Sequence, residues 1–202
     1  RGESQFFCVV SIDRQSWENY ALHPADRARR HEDYDRYITQ EVVPLIHEKN
    51  GSERGILTTG ASMGGYHAAN FFFRHPDAFD AVISLSGMFQ LRPLVGDYMD
   101  ETVYFNSPLS FLPNLDGPWY LERYNRADII LCCGQGAWEE DMVSDHRAIR
   151  EILERKGIPA WVDMWGYDVN HDWPWWRLML PYYLQHLLEA WESRTQDSVP
   201  GL

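Results

Sequence analysis

A Gly-x-Ser-x-Gly pattern at Gly60, Ser62 and Gly64 constrains the fold of this chain more than any other stretch. The β-branched apolar run before it, residues 56–59, predicts a buried strand, and the apolar residues 68–73 after it predict a helix. A sharp strand-to-helix turn lifts such a serine above the sheet, and its crowded backbone requires small residues two positions before and after. The pattern therefore predicts a nucleophile elbow centred on Ser62.

The rest of the chain alternates between strand-like and helix-like stretches. Apolar runs at 5–12, 81–85, 128–133 and 160–165 predict four more strands, and helical spacing predicts helices over 33–48, over about 142–156 and after residue 176. The polar stretch 13–30 and the Trp-rich stretch 166–176 are expected to be loops. This alternation predicts one α/β domain over residues 1–202, with a parallel sheet covered on both faces. Residues 88–126 have no clean period, and we expect them to form an excursion that resembles a cap or lid.

Composition limits the partners of the chain. The net charge of −12 argues against nucleic acid and anionic membranes, and no apolar run approaches the ~20 residues that span a bilayer. We expect Cys8, Cys132 and Cys133 to be small buried hydrophobes rather than a disulfide or metal ligands, which fits a cytoplasmic location. The sequence predicts no cofactor and no metal, and it leaves homo-oligomerisation open.

A serine hydroxyl becomes an effective nucleophile only when a neighbouring base takes its proton and a third group orients that base. His171 follows the last predicted strand, so its loop should lie at the same sheet edge as Ser62. The two histidines of the elbow helix are poorly placed to reach Ser62. His23 and His31 lie in the predicted early loop and remain alternatives for the base.

The acid that orients the base is expected after the fourth strand. Glu139, Glu140 and Asp141 all lie there, and Asp168, close to the base, is a further alternative. Glu139 is preferred because it is nearest the start of its loop. The chain order of serine, acid and histidine is the one found on α/β-hydrolase sheets.

Two further features of the site follow from the chemistry of acyl transfer. A tetrahedral intermediate needs two N–H donors, and the backbone N–H of Met63, directly after the serine, is expected to be one of them. Tryptophans are expected to line the substrate site as a stacking or apolar wall. The candidates for this wall are Trp17, Trp119, Trp138, Trp173 and Trp175.

Three motifs together carry a family resemblance. They are GASMGGYxA at 60–68, GQGxxE at 134–139 and HxWxxW at 171–176. With these motifs the chain resembles the putative-esterase branch of the α/β-hydrolases, which includes S-formylglutathione hydrolases (esterase D) and mycolyltransferases of the antigen 85 type. The resemblance covers nearly the whole chain. It departs from the family in that the acid is a glutamate where many relatives have an aspartate.

The resemblance implies a three-layer α/β-hydrolase sandwich with a mostly parallel sheet. Because the acid of such hydrolases falls three residues after the loop glycine, it favours Glu139 over Glu140. Such hydrolases also have about three strands and an oxyanion loop before the strand that matches residues 5–12. We therefore expect N-terminal strands, and an oxyanion loop that carries the second donor, to be missing from the numbered chain. The alternative source of the second oxyanion donor is the loop 13–17.

The resulting expectation is a serine carboxylic-ester hydrolase that acts on a small-molecule ester through an acyl-enzyme. Ser62 would attack, His171 would act as base and then acid, and Glu139 would orient His171. An acyltransferase to an alcohol or sugar, and a non-catalytic binding module on the same scaffold, are the alternatives. The sequence does not identify the ester.

Overall fold

The computed structural model describes residues 16–50 and 55–197, with side chains described up to residue 194. The strand expected over residues 5–12, the residue Cys8 and most of the loop 13–17 lie outside the described residues. The expectation of further strands before residue 5 therefore stays a prediction.

The described residues form one parallel sheet, whose strands lie side by side in the order of the chain. Residues such as Ser84 and Leu131 face each other directly across the central pair. The sheet confirms the strands predicted in this part of the chain, with small shifts in their ends. The strands are β1 (Leu57–Ala61), β2 (Ala81–Leu85), β3 (Asp128–Cys133) and β4 (Trp161–Met164).

Helices connect and cover the strands. The helices are α1 (Pro24–Tyr37), a π-helical turn (Ile38–Val42), α2 (Val43–Asn50), α3 (Met63–Arg74), α4 (Arg92–Val95), α5 (Glu101–Phe105), α6 (Pro108–Phe111), a 3-10 turn (Leu112–Asn114), α7 (Pro118–Arg126), α8 (Glu140–Arg155) and α9 (Trp173–Asp197). None of the helices in residues 16–50 and 55–197 is both long and apolar enough to cross a lipid bilayer.

Alternate residues of the central strands face opposite layers of the core. Val82 and Leu131 pack on the side of α3 and α8, whereas Ile83 and Ile130 pack on the side of α9. This follows from the two-residue period of a strand. Both faces are covered, which explains why these strands read as continuous apolar runs and confirms the predicted α/β class.

The first helix begins earlier than the sequence pattern predicted. Residues 24–30 were expected to be loop, but His23 caps α1 by accepting a hydrogen bond from the Ala25 N–H at 3.2 Å, and Pro24 occupies the first turn. Arg27 is buried and donates to the Trp17 carbonyl (2.9 Å) and the Leu94 carbonyl (2.8 Å). The core-facing side of α1 is thus partly charged, so the spacing of apolar residues alone does not reveal the start of this helix.

The segment 88–126, expected to be a cap-like excursion, consists of α4 to α7. Its side chains Phe89, Leu112 and Tyr124 are fully buried in the same core cluster as α3 and α8. The Tyr124 hydroxyl also donates to the Phe73 carbonyl at the end of α3. The segment is therefore built into the core, and its role in covering a substrate stays a prediction.

The last helix also begins earlier than expected. Residues 173–176 were predicted to be loop, but α9 starts at Trp173, whose N–H is capped by Asp172 Oδ1 at 2.7 Å. The early start orients the indole of Trp176 toward the core.

The two described cysteines, Cys132 and Cys133, are free and buried at the end of β3, as predicted. Burial raises the pKa of the Cys133 thiol to about 12 and raises the pKa of the Cys132 thiol well above its usual value. Both thiols are therefore neutral near pH 7.

Candidate active site

Ser62 occupies a strained turn between β1 and α3. Its φ of 56° lies in the left-handed region, which costs a serine about 1–3 kcal/mol. The Ser62 N–H donates to the Leu85 carbonyl at 2.9 Å, which fixes the turn against the end of β2. The sharp strand-to-helix turn predicted from the Gly-x-Ser-x-Gly pattern is present.

The crowding around this turn differs from the sequence expectation at one glycine. A Cβ on Gly60 would lie 2.8 Å from the Gly64 Cα and closer still to its carbonyl, and a Cβ on Gly65 would lie 2.7 Å from the Leu85 carbonyl. A Cβ on Gly64 would meet nothing within 4 Å. The close approach thus requires Gly60 and Gly65, and the side of Gly64 is open.

His171 is brought to the serine from the loop after β4. Its Nε2 lies 2.8 Å from Ser62 Oγ, within hydrogen-bond distance. Its backbone N–H donates to the Ala137 carbonyl at 3.0 Å, and its ring meets that of Trp176 edge to face, with the centroids 4.9 Å apart. These contacts orient the imidazole toward Ser62.

Glu139 lies on the other side of the imidazole and is completely buried. Its Oε2 is 3.4 Å from His171 Nδ1, close enough for strong attraction but longer than a good hydrogen bond. Such contacts are often long before substrate binds. Glu140, Asp141 and Asp168 are exposed, and Glu139 is the carboxylate that the structure brings to His171.

The loops that carry Glu139 and His171 are held against each other. The N–H of Gly136 donates to the Val169 carbonyl at 2.8 Å, and the N–H of Ala137 donates to Asn170 Oδ1 at 2.8 Å. A Cβ on Gly136 would lie 2.8 Å from the Val169 carbonyl, and a Cβ on Gly134 would also clash with Val169. The glycines of this loop therefore permit the backbone contact that sets the distance between Glu139 and His171.

Ser86 and Trp176 complete the surroundings of Glu139, and sequence reasoning gave neither of them a role in the site. Ser86 Oγ donates to Glu139 Oε1 at 2.5 Å, and the indole N–H of Trp176 donates to Ser86 Oγ at 3.0 Å. Ser86 is 1% exposed and has a φ of 50°. A polar residue directly after a buried strand, at the edge where parallel sheets place ligands, was the available signal.

Met63 begins α3, so its backbone N–H is one of the helix N-terminal donors that have no intrahelical acceptor. This position suits the oxyanion donor that was predicted for it. Most of the loop 13–17, the alternative source of the second donor, lies outside the described residues.

Two of the predicted wall tryptophans are exposed and lie close along the chain to Glu139 and His171. Trp138, next to Glu139, is 80% exposed, and Trp173, two residues after His171, is 61% exposed and packs edge to face on Trp176. Trp175 is partly buried against the α9 side of the core. The first two therefore offer exposed aromatic surface close along the chain to Glu139 and His171.

The expectation that Trp17 lines the substrate site is wrong. Its side chain is 1% exposed and packs in a cluster with Tyr66, Leu91 and Val103, so it offers no surface to a ligand. The tryptophan is buried because α1 folds over it.

The expectation for Trp119 is also wrong. Trp119 lies near the start of α7, four residues after Leu115, whose carbonyl accepts a hydrogen bond from Lys156 at 3.0 Å. Lys156 follows the C-terminus of α8, and Glu139 directly precedes its N-terminus. Because a 16-residue helix spans about 24 Å, Trp119 belongs to the opposite edge of the sheet.

The alternative histidines are placed elsewhere. His23 caps α1. His31 is fully buried between Trp17 and Phe71, with its Nε2 3.3 Å from Asn70 Nδ2, and burial lowers the pKa of its imidazole well below the usual value. Neither contacts Ser62.

Comparison with known proteins places the chain in a family. Residues 8–187 match the family described as "Putative esterase". The chain belongs to this family. No curated protein sequence matches it with significance.

Solved structures of esterases share the fold at low identity. A ferulic acid esterase has a TM-score of 0.57 at 22% identity over 73% of this chain, and the S-formylglutathione hydrolase of Staphylococcus aureus has 0.55 at 18% over 80%. MPT51 of Mycobacterium tuberculosis has 0.54 at 14% over 72%. The matches cover 57%, 63% and 64% of those three proteins, so the chain spans less than two thirds of their length. These likenesses establish the α/β-hydrolase fold.

Proposed function

We propose that this member of the esterase family is a serine carboxylic-ester hydrolase that works through an acyl-enzyme on Ser62. The observation that carries the proposal is the 2.8 Å contact between Ser62 Oγ and His171 Nε2 at a strained elbow. A serine hydroxyl positioned in this way can lose its proton to the imidazole while its oxygen attacks an ester carbonyl.

In the proposed mechanism, attack of Ser62 Oγ forms a tetrahedral intermediate whose oxyanion accepts a hydrogen bond from the Met63 N–H. His171, protonated by the serine, then gives this proton to the leaving alcohol. Water attacks the acyl-enzyme with His171 again acting as base, and the carboxylic acid leaves. Glu139 holds the imidazole in the required orientation and stabilises its charge.

The proposed substrate is a small-molecule ester with an apolar or aromatic part. Trp138 precedes Glu139 and Trp173 follows His171 by two residues, and both offer exposed aromatic surface that can stack on flat apolar groups. One structural relative bears the name ferulic acid esterase, and an aromatic acyl group of that kind would suit such a wall.

Hydrolysis of p-nitrophenyl acetate by the purified chain tests the proposal. Ser62→Ala and His171→Ala should each lower kcat by about 10⁵- to 10⁶-fold, and the double variant should be no worse, because nucleophile and base act as a unit. A fluorophosphonate probe should label the wild type at Ser62 alone. Full turnover in Ser62→Ala, or labelling elsewhere, would refute the assignment. Product analysis with an added alcohol separates hydrolysis from acyl transfer.

A further inference from the structure

Ser86 makes the hydrogen bond that fixes one oxygen of the buried Glu139 carboxylate. Ser86 follows β2, and its backbone N–H donates to the Cys132 carbonyl at 2.6 Å, so its position is set by the two central strands of the sheet. The Ser86 Oγ to Glu139 Oε1 distance of 2.5 Å is typical of a hydroxyl bonded to a charged carboxylate. This oxygen is not the one that faces His171.

The indole of Trp176 determines which way the Ser86 hydroxyl points. An indole N–H can only donate, so Ser86 Oγ must be the acceptor of the 3.0 Å bond from Trp176 Nε1. The hydroxyl proton is then directed away from the indole and toward Glu139 Oε1. The same indole packs edge to face on the His171 ring, and so contacts both His171 and the serine that holds Glu139.

We infer that Ser86, oriented by Trp176, is a positioning residue for the acid of the triad. This inference rests on the proposed function. By holding Oε1, the Ser86 hydroxyl sets the rotation of the carboxylate so that Oε2 is left for His171 Nδ1. By donating to a buried anion, it also favours the ionised form of the carboxylate that a protonated His171 requires.

The chemistry around the carboxylate supports a need for this donor. Glu139 is completely buried, and an isolated buried carboxylate is strongly disfavoured in its charged form. The nearby thiols of Cys132 and Cys133 offer no charge, since burial raises the pKa of both. The left-handed φ of Ser86 indicates that the backbone is held in an unfavourable conformation at the residue whose hydroxyl reaches Glu139.

Removal of the hydroxyl should therefore change catalysis in a specific way. Ser86→Ala should lower kcat/KM of ester hydrolysis by roughly tenfold to a hundredfold. Without the donor, the deprotonated Glu139–His171 pair is less stable and takes up a proton more readily, so the acidic limb of the kcat/KM profile should move to higher pH. A role in folding alone would not move this limb.

Two companion variants keep the test independent of folding defects. Ser86→Gly removes the same hydroxyl while relieving the left-handed backbone, and it should show the same pH shift with less loss of stability. Trp176→Phe keeps a ring against His171 but removes the indole donor. It should lower activity in the wild type and have no further effect in the Ser86→Ala background.

Matched controls remove equivalent bonds elsewhere. Ser107→Ala deletes a buried hydroxyl that donates to the Val103 carbonyl at 2.9 Å, and Trp165→Phe deletes an indole N–H that donates to the Tyr183 hydroxyl at 2.7 Å. Neither side chain contacts the triad. Both variants should keep the wild-type pH profile.

The decisive experiment combines pH–rate profiles on p-nitrophenyl acetate with proton NMR of the far-downfield His171 Nδ1–H resonance. A pH shift and an altered resonance in both Ser86 variants, absent from both controls, is the expected result. A wild-type limb and resonance in both Ser86 variants would overturn the inference. If the wild type itself hydrolyses no ester, the proposed function fails separately, and the resonance still reports whether Ser86 orients the pair.

Discussion

The two glycines of the Gly-x-Ser-x-Gly pattern should respond oppositely to the same substitution. A Cβ on Gly60 would lie 2.8 Å from the Gly64 Cα, whereas ordinary Cβ contacts fall at 3.4–4 Å. The obstructing atoms are backbone, so Gly60→Ala has to displace either the end of β1 or the start of α3. Overpacking of this kind costs about 1–3 kcal/mol, and the rigid backbone favours the upper part of that range.

Gly64→Ala is the matched control. Its Cβ would meet nothing within 4 Å, and Gly64 lies in the first turn of α3 without a left-handed φ. Alanine there loses less conformational entropy on folding than glycine and should stabilise the chain by up to about 1 kcal/mol.

Thermal unfolding followed by circular dichroism measures both effects. For a chain of this size 1 kcal/mol corresponds to about 2–4 °C in Tm, so Gly60→Ala should lower Tm by roughly 4–12 °C and Gly64→Ala should raise it by up to about 4 °C. Equal destabilisation by both variants would refute the reasoning, because it would mean that crowding is symmetrical about Ser62. An unchanged Tm in Gly60→Ala would refute it as well.

Three further predictions concern the acid, the aromatic wall and pH. Glu139→Gln should lower kcat by about 10²- to 10⁴-fold and Glu140→Gln should leave it nearly unchanged, since only the first carboxylate contacts His171; the reverse ranking in steady-state kinetics would move the acid. Trp138→Ala should raise KM for an aromatic acyl ester several-fold. Trp119→Ala, far from Glu139, should leave KM unchanged. Equal KM values in both variants would argue against a role for Trp138 in binding the acyl group. Burial lowers the pKa of His146 to about 4 and that of His31 well below 6.5. Between pH 7.0 and 5.5 the unfolded chain therefore binds more protons than the folded chain. The free energy of unfolding should then fall from pH 7.0 to 5.5, by at most about 1.4 kcal/mol per pH unit for each histidine, and His146→Gln should flatten this slope in urea titrations.

The parts of the fold that depend on periodicity could be predicted from the sequence. β2 and β3 are buried on both faces and read as apolar runs, and the carboxyl ends of parallel strands meet at one edge of a sheet. Residues just after β1, β3 and β4 were therefore expected together, and Ser62, Glu139 and His171 do meet there.

The parts that depend on individual side-chain contacts could not be predicted. α1 buries Arg27 and His31 rather than an apolar stripe, so its start and the burial of Trp17 beneath it escaped a hydrophobic pattern. The hydrogen bond between Ser86 and Glu139 joins residues far apart in the chain, and no sequence spacing predicts such a contact. Trp119 was predicted to belong to the aromatic wall because no pattern in the sequence shows where α7 lies relative to Ser62.

The backbone contacts between the Glu139 loop and the His171 loop have a consequence for how this protein can vary. His171 N–H to the Ala137 carbonyl and Gly136 N–H to the Val169 carbonyl fix the alignment of the two loops, much as hydrogen bonds fix adjacent strands. A one-residue insertion in either loop would break this alignment and separate Glu139 from His171, unless the other loop changed length with it. The lengths of these two loops are therefore coupled. Insertions and deletions that alter the substrate range are better tolerated in segments outside this pair, such as the helical excursion between β2 and β3.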